Sequence, residues 1–283
     1  MTADWSLLPQ ILFSWKYLAF LLLALAGWLL LMRNRPMRPA RLALQAVAFV
    51  VLGGVLGMVL PWAAREFGLH PSPMCAVTKG LAIPILFQKI GMPMLALVVA
   101  AAVLALVGAK GFCGWACPMG AIQELVGRIP GLRRFRLPFA LTNTVRVVAF
   151  GLFFVVLFAA RKISYDWFHL NAFEFFHWHQ LGHPAVWGPF AVVIAASLFV
   201  YRPFCAFICP LGLITWVVET VSFGKIRVSR ACTDCGKCLQ ETDCQALPAL
   251  VAGKTVVPDC HGCGDCLRVD CPESAIAWRW GRR

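Results

Sequence analysis

Five long apolar runs constrain the fold of this chain more than any other feature. They cover roughly residues 13–32, 42–62, 91–109, 143–160 and 185–201. A helix of about 20 apolar residues crosses the hydrocarbon core of a bilayer. The chain is 60% hydrophobic and only 14% charged, which excludes an ordinary soluble domain. The sequence therefore predicts an α-helical polytopic membrane protein, with about five transmembrane helices in a membrane domain of residues 1–224.

Basic residues are unevenly distributed between the loops. Four arginines follow the first run, and more cations lie between the third and fourth runs and after the fifth. The positive-inside rule then places the N-terminus outside and the C-terminus in the cytoplasm of a bacterial inner membrane. The net charge of +13 mostly expresses this topology and contact with anionic lipid, so nucleic acid is not an expected partner. Lys16 and Arg146 lie near the ends of runs, where we expect their side chains to reach the headgroups.

Residues 225–283 carry two cysteine runs, CTDCGKC and CHGCGDC, each followed by one more cysteine. The spacing is that of bacterial ferredoxins, in which the fourth cysteine of each run ligates the cluster of the other run. We therefore predict a C-terminal cytoplasmic ferredoxin-like domain (α+β) with two [4Fe–4S] clusters. The expected ligands are Cys232, Cys235, Cys238 and Cys271 for the first tail set, and Cys260, Cys263, Cys266 and Cys244 for the second tail set.

Two alternatives to iron–sulfur clusters exist for the tail. Structural zinc sites usually pair two C-x-x-C hairpins, and the third cysteine in each run disfavours them. A reducing cytoplasm disfavours structural disulfides. The first run departs from the ferredoxin pattern, because five residues separate Cys238 from Cys244 and no proline follows Cys244. We expect this longer loop to bulge.

A second cysteine pattern occurs twice within the apolar part of the chain. Residues 112–122 read FCGWACPMGAI and residues 204–214 read FCAFICPLGLI, each just beyond an apolar run. Cysteines at i and i+4 share one face of a helix, and proline suits a first helical turn, so helices should begin near Pro118 and Pro210. We hypothesise that the four cysteines form a third thiolate metal site, a [4Fe–4S] cluster or another centre. These are Cys113, Cys117, Cys205 and Cys209.

This third site requires the third and fifth apolar helices to be neighbours. Two other interpretations stay open. The cysteines could act as small apolar residues that pack helix ends, or as two dithiol–disulfide pairs.

The opposite face of the membrane has a histidine-rich loop, DWFHLNAFEFFHWHQLGHP. Histidine can accept a quinol proton or ligate haem, and acidic neighbours could pass protons to water. The residues on this face are His70, His169, His177, His179, His183, Asp166, Glu174 and the odd cysteine, Cys75. The segment 76–93 is apolar but interrupted by Pro84, and we expect it to lie along the interface or to re-enter the membrane.

Taken together, FCGWACP, YRPFCAFICP and the two tail runs resemble the NapH-type ferredoxin-like membrane proteins. This NapH/MauN family is related to the C-terminal half of NosR, and the resemblance covers roughly residues 90–283. It implies a membrane subunit with two [4Fe–4S] clusters on the cytoplasmic side, which takes part in quinol oxidation or in electron supply to periplasmic respiratory enzymes. This chain departs from the pattern by an additional N-terminal span and by the missing C-P ending of its first run.

The leading prediction for function is a membrane-bound electron-transfer subunit, of the quinol dehydrogenase type. It would move electrons between the quinone pool, or a cytoplasmic donor, and a respiratory partner, with other redox subunits that include one on the outer face. No phosphate-binding G-x-G-x-x-G or P-loop motif occurs, so oxidation of NADH is not expected. The alternative is an assembly or metal-handling factor, which reduces a metal or a disulfide during maturation of another enzyme.

Overall fold

The protein is mostly helical, with one small sheet near its C-terminus. The computed structural model describes residues 6–34, 38–53, 73–129, 135–160, 184–254, 257 and 259–281. The described helices that precede the tail are α1 (Leu7–Leu12), α2 (Trp15–Met32), α3 (Arg38–Leu52), α4 (Pro73–Phe87), α5 (Met92–Gly108), α6 (Gly111–Trp115), α7 (Pro118–Val126), α8 (Phe139–Ala160), α9 (Pro184–Ser197), α10 (Pro203–Phe207) and α11 (Leu211–Glu219). The tail adds β1 (Gly224–Val228), α12 (Lys237–Glu241), α13 (Leu247–Val251), a 3-10 helix (Asp265–Arg268) and β2 (Ile276–Trp280).

The apolar helices follow the predicted runs, with differences at their ends. Helices α2, α5 and α8 lie within or close to the predicted bounds, whereas α9 ends at Ser197 and the chain turns there. The second run continues beyond Leu52 into residues 54–72, which lie outside the described residues. Among the described helices, only α2 is long and apolar enough to cross a membrane on that criterion alone, and the other apolar helices are shorter.

Helix α4 is an apolar helix that the sequence prediction did not include among the runs. It continues through Pro84 and packs against α5. Pro84 lacks a backbone N–H group, and Lys79 interrupts the apolar pattern. Neither prevents the helix, because packing against a neighbour supplies most of a helix's stability in proteins.

The helices expose many apolar side chains, and some charged side chains are buried between them. Leu22, Val155 and Val192 are 65%, 63% and 68% exposed, respectively. Lys16 and Arg146 are buried, at 3% and 1% exposed, so the prediction that both side chains reach outward to headgroups is wrong. A soluble helical bundle also has an apolar core, but it usually presents charged and polar side chains on the opposite face of each helix.

The two copies of the cysteine repeat are interlocked. The first copy is α5–α6–α7 and the second is α9–α10–α11. Helix α5 packs against α11 of the other copy, and α9 packs against α7. Among the described residues, α5 and α9 have no extensive contact with each other. The expected direct packing of the third and fifth apolar helices is therefore not found. Each of these helices packs instead against the last helix of the other copy.

Equivalent residues of the two copies share one core. Phe112 and Phe204 precede the first cysteine of their motifs, and Met119 and Leu211 follow the two prolines. All four side chains are buried in the same apolar cluster, together with Cys209. The two copies of the sequence repeat therefore have the same helical structure and pack against each other around one core.

The tail packs against the ends of the apolar helices. Strands β1 and β2 pair antiparallel, with Gly224 opposite Trp280 and Val228 opposite Ile276. Gly224 has no room for a side chain, because a Cβ atom there would lie 2.2 Å from Cζ2 of Trp278. The ring of Trp28 on α2 meets that of Trp280 at 5.5 Å, which places β2 against the end of α2.

Candidate metal centre

Each cysteine pair of the repeated motif lies at a break between two short helices. Cys113 is within α6 and Cys117 caps the start of α7, and Cys205 is within α10 while Cys209 lies just before α11. The second helix of each copy begins at or next to the proline, as predicted. The pair therefore spans a turn rather than one continuous helical face.

The four cysteines of the two motifs line one cavity. Cys113 and Cys117 come from the first copy, and Cys205 and Cys209 come from the second. Gln123 on α7 ties the copies together, because its Oε1 accepts a hydrogen bond from the backbone N–H of Phe204 at 2.8 Å. Its Nε2 lies 3.8 Å from the Cys205 sulfur. The crossed packing thus brings four sulfurs from distant parts of the chain to one place.

The cavity keeps these thiols protonated when nothing is bound. Burial raises the pKa of Cys117 to about 12, with a further increase from Cys205. Burial and Cys205 likewise raise the pKa of Cys209 to about 12. Backbone N–H groups of Gly120 and Gly212, at the helix starts, hydrogen-bond these two sulfurs and act in the opposite direction. A thiolate-bound metal would have to displace the protons, so metal binding here is coupled to proton release.

Three nitrogen-bearing side chains line the same cavity: Lys110, Arg146 and His261. Nη1 of Arg146 is buried and has no hydrogen-bond partner among the described residues. Burial and the nearby Arg202, Lys110 and Arg146 hold the pKa of His261 well below its usual range, so the imidazole is neutral. Four thiolates with cations and an unused N–H donor fit an anionic thiolate centre.

Two reciprocal ion pairs join the copies beside the cavity. Lys110 and Arg202 each lie three residues before the first cysteine of their motif. The Lys110 ammonium lies 3.6 Å from Glu219 of the second copy. The Arg202 guanidinium pairs with Glu124 of the first copy. Each copy therefore supplies the cation for the other copy's acid.

Glu124 is the centre of a buried charge network. Its carboxylate contacts Arg41 at 2.5 Å and also pairs with Arg128 and Arg202. Gln45 donates to it at 2.9 Å. Burial alone would raise the pKa of Glu124, but the three guanidinium groups outweigh burial and hold the pKa below its usual range. The network joins α3, α7 and the YRPFC segment around one anion.

The second tail set is compact. Burial raises the pKa of Cys266, and Cys244, Cys263 and Cys260 raise it further because their charges are close. The same mutual effect acts on Cys260 and Cys244. Cys244, the fourth cysteine of the first run, therefore lies near cysteines of the second run, and this is compatible with ferredoxin-type crossing.

The first tail set lies nearer the surface. Burial raises the pKa of Cys238, with contributions from the charges of Cys232 and Cys235. Lys237 donates to the carbonyl oxygen of Asp270 at 3.0 Å, which places the neighbour of Cys238 beside the neighbour of Cys271. These contacts suit one cluster shared by the two runs.

The second tail set and the first motif touch at their backbones. A Cβ atom at Gly114 would lie 2.7 Å from the carbonyl oxygen of His261 and 3.1 Å from the Cα atom of Cys263. The indole N–H of Trp115 donates to the carbonyl oxygen of Gly262 at 2.9 Å. Glycine at 114 is thus required by the close approach of the tail, and the two cysteine sites are neighbours.

Several predicted residues fall outside this description. Seven residues of the predicted outer face lie outside the described residues: His70, Asp166, His169, Glu174, His177, His179 and His183. The Cys75 side chain is likewise outside the described part of the chain. Within the described part of the chain, no three His, Cys, Asp or Glu side chains are arranged to hold a single metal ion. The two tail sets and the four-cysteine site therefore stay predictions of cluster sites.

The functional residues that sequence reasoning missed are polar. They are Lys110, Gln123, Glu124, Arg146, Arg202, Glu219 and His261. The equal spacing of Lys110 and Arg202 from their motifs was a usable signal. For His261 there was none, since a histidine between two tail cysteines reads as part of the tail run rather than of another site.

Comparison with known proteins identifies the two copies of the repeat as members of one family. A family described as a 4Fe-4S binding domain matches residues 90–139 and 183–228. Each match contains one complete copy of the repeat with its cysteine pair, and both end before the cysteine runs of the tail. The two segments that match this family therefore coincide with the two copies of the repeat.

Three relatives share a longer stretch of the chain. YccM of Escherichia coli K12, described as a candidate electron transport protein, is 31% identical over 62% of this chain and 52% of its own length. The regulatory protein NosR of Pseudomonas aeruginosa is 29% identical over 59% of this chain and 24% of its own. The ferredoxin-type protein NapH of Haemophilus influenzae is 26% identical over 61% of this chain and 63% of its own. The chain thus spans about half of YccM and about a quarter of NosR. No solved structure is significantly similar to the chain.

Proposed function

From the premise that this chain belongs to the NapH/NosR-like family of iron–sulfur electron-transfer proteins, we propose that it is a polytopic membrane subunit that links the quinone pool to a redox partner. It would hold a [4Fe–4S] cluster on each tail set and a third thiolate centre on the four-cysteine site. The observation that carries this proposal is the convergence of both repeated motifs on one cavity, directly against the second tail set.

The exposed apolar faces of the helices support a membrane location for residues 1–224. Polar side chains inside and apolar side chains outside are the arrangement that lipid demands. We take α2, α3, α5, α8 and α9 as the five spans, with α4 an additional apolar helix packed on α5. The tail, residues 225–283, would then be a separate ferredoxin-like domain at one membrane face.

Contacts with the tail support alternating spans. The chain just after α2 contacts β2 through Asn34, and Arg41 near the start of α3 lies 2.7 Å from Asp265. The last turn of α5 contacts Phe223, and Thr142 near the start of α8 donates to Asp259 at 3.2 Å. The tail thus contacts the ends of α2 and α5 and the starts of α3 and α8. Five crossings with a cytoplasmic tail require this alternation.

This topology makes a direct prediction. A reporter that is active only in the cytoplasm should work when fused after Arg283 and fail when fused before the first run, because the basic loops are retained inside. A periplasm-specific reporter at the same two positions is the control and should give the reverse pattern. Activity of the cytoplasmic reporter at the N-terminal position alone would place the tail outside.

The function itself is tested by adding a quinol to the purified protein. Oxidation of one quinol releases two electrons and two protons, and each [4Fe–4S] cluster accepts one electron. We expect the EPR signals of reduced clusters to appear with a reduced short-chain quinol under anaerobic conditions, and not with NADH. Clusters that stay oxidised with quinol, but pass electrons to a metal ion or a disulfide, would favour the assembly-factor alternative.

A further inference from the structure

Arg146 occupies a position that an apolar helix does not explain. It lies near the start of α8 and is 1% exposed. Its Nε donates to the carbonyl oxygen of Ala206 at 3.0 Å, and its Nη2 donates to that of Cys205 at 3.0 Å. Nη2 also lies 3.2 Å from a carboxylate oxygen of Asp259, the residue before Cys260. One guanidinium group therefore touches the second motif and the second tail set.

The remaining nitrogen of this guanidinium group is directed to the four-cysteine cavity. Arg146 lines the cavity, and its Nη1 is buried without a hydrogen-bond partner among the described residues. Gly212, which also lines the cavity, lies near this nitrogen, because a Cβ atom at Gly212 would be 3.7 Å from Nη1. A buried charged donor left without an acceptor is unfavourable, and sulfur atoms of a bound centre are the acceptors this cavity would supply.

We propose that Arg146 is a positioning residue of the four-cysteine centre, whose Nη1–H group donates to a sulfur atom of that centre and whose charge favours its reduced form. The proposal rests on the proposed function, in which the cavity holds an iron–sulfur cluster. Reduction adds one electron and one negative charge to a cluster already bound by four thiolates. A nearby cation and a hydrogen bond to sulfur both stabilise that additional charge, and these are two of the features that set cluster potentials.

The attachment of the tail is separable from this role. Thr142, one turn before Arg146 on α8, also donates to Asp259. Arg136 attaches the tail elsewhere, by donating to the carbonyl oxygen of Thr242 at 2.9 Å, and it does not line the cavity. An Arg136→Gln variant therefore weakens tail attachment without changing the charge at the four-cysteine site, and it is the matched control.

The test is an EPR-monitored redox titration of the intact protein, with iron analysis on every sample. In Arg146→Gln we expect the midpoint potential of the four-cysteine centre to fall, with the signals of the tail clusters little changed. Arg146→Lys keeps the charge and should lie close to the wild type, which a merely structural role would not predict. Arg136→Gln should leave the potential of the four-cysteine centre unchanged.

A second measurement tests the contact itself and does not depend on a shift in potential. With arginine labelled by ¹⁵N, pulsed EPR of the reduced four-cysteine centre should show a weak ¹⁵N coupling that Arg146→Lys loses. An unchanged potential in Arg146→Gln, or a coupling that survives in Arg146→Lys, overturns the proposal. Iron near eight atoms per chain with no third signal, in the wild type itself, would instead overturn the four-cysteine centre.

Discussion

Replacing Cys209 with alanine should remove about four irons from the purified protein and abolish one cluster signal. Cys209 is 8% exposed and lines the cavity with the other three motif cysteines. No other cysteine lines that cavity, among the residues the structure describes, so no replacement thiolate is available there. Iron and sulfide analysis together with EPR, on protein purified without oxygen, measures the loss.

The matched control for Cys209→Ala is Cys235→Ser. Cys235 is exposed and belongs to the first tail set. It should also cost about four irons, but the signal that disappears should be a different one. If Cys209→Ala retains all its iron, the twin motifs pack helix ends or form dithiols, and electrons reach the tail without a third centre.

Replacing Glu124 with glutamine should destabilise the protein more than any substitution on its exposed surface. The carboxylate is 2% exposed and is shared by Arg41, Arg128 and Arg202. The isosteric amide keeps the volume but removes the negative charge. Arg41 keeps Asp265 as a partner, whereas Arg128 and Arg202 lose the carboxylate that they share. Removing one partner of a buried ion pair costs about 3–5 kcal/mol. Thermal unfolding in detergent, followed by tryptophan fluorescence, should show a fall in Tm of several degrees or more.

Glu241→Gln is the control for charge removal. Glu241 lies 3.8 Å from Lys237 one helical turn away, and both side chains are well exposed, at 47% and 44%. Such pairs contribute about 0.3–0.5 kcal/mol, so its Tm should stay near that of the wild type. Equal Tm values for the two variants would mean that water or another group replaces the Glu124 charge, and the interlocking of the two copies would need another cause.

The reciprocal ion pairs explain how the two copies of the repeat are held together. A motif that ends one apolar helix presents only two thiols, and a four-thiolate centre needs a second pair at the same depth. Crossed packing of α5 with α11 and of α9 with α7 provides that depth, and the pairs Lys110–Glu219 and Arg202–Glu124 hold the register. Buried charged side chains are costly unless they are paired, so these four residues restrict how the copies can fit together.

Local features were predictable because they depend on neighbours in sequence. Apolar runs indicated α2, α5, α8 and α9 to within a few residues at most ends, and proline marked the start of α7. The resemblance of the cysteine motifs to NapH-type proteins is confirmed by relatives that include NapH and NosR. Helix α4 was not among the predicted apolar runs because Lys79 and Pro84 interrupt the apolar pattern, and packing overrides such local signals.

Only the tertiary structure decided which distant residues meet. Residue spacing within a motif sets where two cysteines lie relative to each other, but it carries no information on which helix of the other copy packs there. The exchange of partners between the two copies, the pairing of Arg41 and Arg202 with Glu124, and the entry of His261 into the four-cysteine cavity all depend on contacts between residues far apart in sequence. Arg146 shows the difference most clearly. Its sequence neighbours are those of an apolar helix. The free energy of burying its charge is nevertheless offset by a carboxylate and two carbonyl groups, which the fold brings from residues 205, 206 and 259.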